Sequence, residues 1–182
     1  TDYLDLFLIH RPDPFINPEE VAEAFEDLRV QGKVLEFGVS NFNPGQFNML
    51  QSFLSFPLVT NQVEISPVCL ASFQNGTIDQ CIEKRISPMA WSPLGRGKLE
   101  SNLDEKSERI VQALEKIKRE VAAESIYQIA LAWLLNHPGK IIPIIGSGNI
   151  NRIREQVKSL EIKLTTEQWF EIWQSSTGKQ VD

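Results

Sequence analysis

The chain has 182 residues, 42% of them hydrophobic, with a formal net charge of −6 and a pI near 5.1. That length and apolar content suffice for one domain with a sizeable core, and the acidic balance without any long basic run argues against gripping a nucleic-acid backbone. Cys69 and Cys81 have no metal-ligand spacing, the apolar runs stop well short of a membrane span, and the N-terminus carries no charged-then-apolar signal, so a soluble protein of a reduced, cytoplasmic compartment is expected.

Leu4 to Pro12 opens the chain with a short apolar run closed by a proline, which reads as a strand, over residues 3–9, buried on both faces. Strands buried in this way belong to parallel sheets covered by helices, and such sheets carry their chemistry at the C-terminal ends of the strands. His10 stands at that end and is a candidate for catalysis. The chain begins at Thr1 and enters this strand at once, which suggests that something precedes it.

Asn17-Pro18-Glu19-Glu20 supplies a cap, a first-turn proline and two acidic residues for a helix that Gly32 ends. Residues 34–39 read as a second strand, followed by a helix opened by Asn43-Pro44 with Phe47, Leu50 and Leu54 on one face. Residues 58–63 form the third expected strand. After an irregular stretch, Thr77 to Lys84 is expected to be a short helix with Ile78, Cys81 and Ile82 turned inward, and residues 87–91 a fourth strand.

From Ser92 to Ser107 the composition is that of a loop at a strand end. Two helices then follow without a strand between them, one with Ile110, Ala113, Leu114, Ile117 and Val121 on its apolar face, the other capped by Ser125 and stopped by Pro138-Gly139. Residues 141–145 are the fifth strand, a helix runs from about Asn149 to Leu160, and Thr165-Thr166-Glu167-Gln168 offers a capping box for the last helix. Trp133, Trp169 and Trp173 fall at apolar spacing and read as packing, and His137 as a helix-end residue.

Strands alternating with helices imply parallel strands joined by right-handed crossovers. An open dinucleotide-binding sheet would carry a glycine-rich first turn, whereas His10-Arg11-Pro12-Asp13-Pro14 has no glycine, which favours a (β/α)8 barrel. A full barrel takes roughly 250 residues. Five strands and their helices already use the whole chain, so the barrel would be incomplete.

The segments Tyr3 to Asp13, Gly38-Val39-Ser40-Asn41-Phe42, Asn61-Gln62-Val63-Glu64, Met89 to Leu94 and Ile142 to Ser147 resemble, in order, successive motifs of the aldo-keto reductases, and most closely those of bacterial oxidoreductases of that family. The resemblance implies an α/β fold, a TIM barrel of aldo-keto reductase type whose last five strands are residues 1–182, forming one domain. It implies reduction of the carbonyl of a small aldehyde or ketone to an alcohol with a nicotinamide cofactor, NADP (as NADPH) ahead of NAD.

Residue by residue, His10 matches the family histidine that donates a hydrogen bond to the carbonyl oxygen, while Ser40, Asn41 and Gln62 match the residues that hold the nicotinamide carboxamide. Trp91 resembles the aromatic residue that stacks on the nicotinamide, and Ser92, Leu94, Gly95 and Arg96 the loop over the pyrophosphate. Ile145, Gly146, Ser147 and Gly148 match the segment at the adenosine 2′-phosphate, Arg152 the arginine that contacts it, and Glu155 and Gln156 residues near the adenine. Gly146 stands where the family often has a lysine.

The family's proton-donating tyrosine, with the aspartate and lysine that tune it, has no counterpart in this chain. Two classes therefore stay open at this level: part of an enzyme, which by itself would be inactive, or a non-catalytic cofactor-binding or assembly module. No membrane or nucleic-acid partner is expected, and no metal.

Overall fold

A computed structural model describes residues 1–100 and 104–180. The chain divides into two compact units, Thr1–Val63 with Phe73–Met89, and Glu64–Ser72 with Ala90–Asp182.

In the first unit, β1 (Leu4–Ile9), β2 (Val34–Ser40) and β3 (Asn61–Glu64) are parallel, with Ile9 opposite Val39, Val39 opposite Asn61 and Ser40 opposite Gln62. That register brings the residue after Ile9, the end of β2 and the middle of β3 to one level. Helices α1 (Pro18–Val30) and α2 (Pro44–Gln51) are started as the residue types dictate: the Asn17 side chain accepts from the Glu19 amide, and Asn43 and Gln46 exchange a full capping box. Between the helices and β2 lies a phenylalanine-rich core of Phe25, Phe37, Phe42, Phe47 and Phe56 with Val34, Val39, Leu50 and Leu58. Phe25 and Phe37 are stacked at 4.2 Å, and Phe7 meets both edge-on.

Gly38 is required in the middle of β2. A Cβ there would lie 2.8 Å from the Thr60 carbonyl oxygen and 2.7 Å from Leu8 Cδ2, so neighbouring strands close over it. β1 is less covered than its composition suggests, since Leu4 and Phe7 are 46% and 38% exposed. Among the described residues it pairs on one side only within this unit, with β2, and its open flank leaves these side chains accessible. The unit also contains α4 (Thr77–Lys84); earlier in the chain, where the second unit passes into the first, a short turn of helix, α3 (Ala71–Gln74), forms that the sequence does not announce. Ile78 and Cys81 of α4 are buried, but Ile82 is exposed. The helix is rotated because Gln80 is drawn inward to donate to the Pro44 carbonyl and to Asn48 Oδ1.

In the second unit, the stretch after β4 (Met89–Trp91) that reads as loop contains regular structure: Gly95–Gly97 form a 3-10 turn, and α5 (Glu105–Glu120) begins inside it because Asp104 accepts the Ser107 amide at 2.7 Å. The apolar face of α5 and the almost wholly buried α6 (Ile126–Leu135) build the core. β5 shrinks to Ile142–Pro143 from the expected five residues. Pro143 has no amide hydrogen to continue the ladder, which resumes as a single bond from the Ile144 amide to the Ala90 carbonyl. The helix expected over 149–160 is α7 (Ile150–Val157) followed by a 3-10 turn, Lys158–Glu161. α8 (Thr166–Thr177) starts on the Thr165–Gln168 capping box and ends at Gly178 in the left-handed conformation.

Candidate active site

The first unit gathers four of the residues singled out by sequence at the C-terminal ends of its strands. Ser40 is buried and its Oγ donates to the Gln62 carbonyl at 2.8 Å, where the backbone amide of Asn41 also donates at 2.9 Å. Asn41 Nδ2 donates to Ser40 Oγ at 3.0 Å and to the His10 carbonyl at 3.2 Å. These bonds tie three strand ends together and consume backbone acceptors, while the imidazole of His10 is exposed.

The geometry depends on Asn41, whose φ of +62° puts it in the left-handed region just after β2. Asparagine tolerates this conformation better than most non-glycine residues because its short polar side chain bonds locally. Ser92 repeats the device after β4 with φ of +49°. Neither turn is visible in the hydrophobic pattern, although an asparagine directly after an apolar run is a weak signal for the first.

The second unit holds a cleft of about 670 Å³. Ser92, Leu94 and Arg96 line it from the loop after β4, Ile145, Gly146 and Ser147 from the segment after β5, and Arg152, Glu155 and Gln156 from α7. Trp91, Gly95 and Gly148 do not contribute to the lining. Gly95 has φ of +72° and presses against Val68, so close that a Cβ would lie 2.5 Å from Val68 Cγ2. Gly146 and Gly148 have open space where a Cβ would stand, so no packing constraint demands glycine there.

Charge in the cleft is mixed, with Arg96 and Arg152 against Glu100 and Glu155. Arg152 is exposed and stands in the first turn of α7, whose Asn149 cap accepts the Asn151 and Arg152 amides. Gln156 is buried, and its Oε1 has no hydrogen-bond partner among the described residues. An acceptor in that state, on the wall of a cleft, is suited to a ligand's N–H. Gly139 donates to His137 Nδ1 at 3.0 Å, as befits a helix-end residue.

Sequence reasoning missed Tyr127 and Leu131, which line the cleft from α6, and Leu99 and Glu100 at the end of the loop. Tyr127 and Leu131 are four apart on one helix, so their shared face was readable, but nothing marked that face as a wall. Burial, then a hydrogen bond to Glu100, pushes the Tyr127 phenol above its ordinary value. Also missed was Glu64, whose Oε2 lies 3.2 Å from Arg96 Nη2. Among the described residues no cluster of side chains could hold a metal ion, and no helix is long and apolar enough to cross a membrane.

The chain is 49% identical over 181 residues to the oxidoreductase YdhF of Escherichia coli K12, covering 100% of this chain and 60% of that protein. Among solved structures, a thermostable aldo-keto reductase crystallised with the inhibitor epalrestat superposes with a TM-score of 0.85 at 34% identity, covering 97% of this chain and 60% of the other. An aldo/keto reductase from Klebsiella pneumoniae in complex with NADP and acetate gives a TM-score of 0.78 at 26% identity, covering 94% and 58%. The chain thus spans about three fifths of the length of these relatives, and its fold is α/β, an incomplete (β/α)8 barrel. The family model for the aldo/keto reductases matches residues 1–176, and the chain belongs to the aldo/keto reductase family.

Proposed function

We propose that residues 1–182 are the C-terminal part of one oxidoreductase barrel, and that the complete protein reduces a small aldehyde or ketone to an alcohol with NADPH, NADH being the poorer donor. The observation that carries this reading is the network joining His10, Ser40, Asn41 and Gln62 at the strand ends. It holds amide and hydroxyl groups of both polarities in fixed places, as recognition of a carboxamide requires.

The cleft of the second unit suits the adenosine and phosphates of a dinucleotide. Gln156 Oε1, without a partner among the described residues, can accept from an adenine amino group, with Glu155 beside it, and Arg152 can pair with a 2′-phosphate. Ser92, Leu94 and Arg96, with the backbone around Gly95, can hold the pyrophosphate, and Ile145, Gly146, Ser147 and Gly148 leave the adenosine end open to enter. Trp91 offers an aromatic face for the nicotinamide. The Klebsiella relative with bound NADP supports the choice of cofactor.

When bound, the nicotinamide supplies the hydride. His10, exposed at its strand end, then donates a hydrogen bond to the substrate oxygen on which negative charge grows. Ser40 and Asn41 fix the carboxamide and with it the ring face that meets the substrate. The remaining requirement is an acid within reach of that oxygen. A tyrosine of ordinary pKa, about 10, donates poorly at neutral pH unless a neighbouring cation lowers it, and the tyrosine of the first unit, Tyr3, stands before β1, at the opposite end of that strand from His10. The proton is therefore assigned to a tyrosine outside this chain.

The test is NADPH oxidation with an activated aromatic aldehyde, comparing the 182-residue piece with the protein extended upstream. Turnover is expected from the extended protein alone. Robust turnover by the piece would overturn the assignment of the acid, and failure of the extended protein with every carbonyl tried would overturn the function.

A further inference from the structure

Arg96 is the middle of three consecutive left-handed residues, with φ of +72° at Gly95, +56° at Arg96 and +82° at Gly97. This backbone is held from outside the loop. Gly95 is wedged on Val68, and the Val68 carbonyl is itself fixed by Lys106 Nζ at 2.9 Å. The result is a definite place for the guanidinium: its carbon is 4.5 Å from the centroid of the Trp91 ring, and Nη2 is 3.2 Å from Glu64 Oε2. Arg96 lines the cleft and Trp91 does not. The cation, not the indole, meets the space where a ligand would enter.

We propose that Arg96 is a built-in stand-in for the cofactor: in the resting protein it covers Trp91 and is neutralised by Glu64, and a bound pyrophosphate draws it away and uncovers the indole for the nicotinamide. This inference rests on the reading of the cleft as a nucleotide site. The resting contacts are of the displaceable kind. The Arg96 side chain is 59% exposed, so water and salt screen its pair with Glu64, and they also weaken its contact with the half-buried Trp91 ring. A pyrophosphate carries more charge than one carboxylate and offers the guanidinium paired acceptors, so the exchange runs toward the ligand.

Two consequences distinguish this from a purely structural ion pair. Glu64 competes with the ligand, so it weakens cofactor binding and hastens release. The environment of Trp91 also changes when the phosphates bind, with or without a nicotinamide.

The experiment uses the complete protein and two probes, NADPH and inorganic pyrophosphate. Glu64→Gln keeps the shape and removes the charge, and is expected to tighten NADPH about two- to fivefold, through slower dissociation, as loss of an exposed competing ion pair allows. Arg96→Ala is expected to weaken it roughly tenfold or more, and in the double variant the gain from Glu64→Gln disappears. Pyrophosphate is expected to shift the tryptophan emission of the wild type, but not of Arg96→Ala or Trp91→Phe. If NADPH binds and Glu64→Gln leaves its affinity unchanged or weaker, the inference is overturned while the nucleotide reading stands. If NADPH does not bind but pyrophosphate still shifts Trp91 and is tightened by Glu64→Gln, the nucleotide reading falls and the exchange of Arg96 stands. Binding of neither probe overturns both.

Discussion

Arg152→Ala measures how the protein distinguishes NADPH from NADH. The guanidinium is exposed on the cleft wall, fixed at its root by the cap at Asn149. A hydrogen bond to a charged group contributes about 1.5–3 kcal/mol, and exposure to water holds this one near the lower end, about 1.5–2 kcal/mol. That corresponds to roughly 10–30-fold in the dissociation constant of NADPH. NADH lacks the 2′-phosphate, so its affinity is expected to change less than about twofold. Fluorescence titration with each cofactor at low ionic strength gives both constants. Repeating it at high salt narrows the difference, because an exposed charge pair is screened within about 10 Å at 0.1 M. Arg152→Lys should recover part of the loss, having the charge without the planar fork. Equal losses for the two cofactors would show that Arg152 does not read the phosphate.

Other consequences follow from packing and titration. Gly38→Ala forces a methyl group to within 2.8 Å of the Thr60 carbonyl oxygen, and urea unfolding should show a loss of about 1–3 kcal/mol; a stability equal to wild type would mean that the strands part easily. Burial pushes the Cys81 thiol from 9.0 up to about 11. The unfolded chain then releases that proton first, so between about pH 9 and 11 stability falls with rising pH, by about 3 kcal/mol in all. Comparing urea midpoints of wild type and Cys81→Ala isolates this contribution, and parallel pH profiles would refute it. Trp169→Phe removes the bond from its Nε1 to the Trp133 carbonyl at 2.9 Å and should cost about 1–2 kcal/mol in a thermal or urea melt, a loss that a neutral result would contradict.

Much of the fold is readable because its signals are local. The caps at Asn17, Asn43, Ser125 and Thr165 each consist of one side chain reaching an amide two or three residues on, and all four form. What escaped depends on distant partners. Ile82 turns outward because Gln80 finds acceptors more than thirty residues away, on α2. β5 is cut short by Pro143, a residue visible in sequence, but the consequence appears only when the strand has a neighbour to lose. At the candidate site, nine of the residues matched through family motifs line the cleft, while Tyr127 and Glu64 do not announce themselves. Tyr127 lies in the first turn of an apolar helix, and Glu64 acquires its meaning from an arginine thirty-two residues further on.

All four tryptophans, Trp91, Trp133, Trp169 and Trp173, belong to the second unit, where the indoles of Trp133 and Trp169 stack at 5.0 Å and those of Trp169 and Trp173 at 5.7 Å. The core of the first unit is built on phenylalanine. Indole emission excited near the red edge of absorption therefore follows one half of the chain and is blind to the other. A melt recorded by that signal alone could report a single sharp transition while β1, β2 and β3 had already come apart, or were still intact. Far-ultraviolet circular dichroism, or a tryptophan introduced at the exposed Phe53 position on the first unit, would make the silent half visible and show whether the two halves lose structure together.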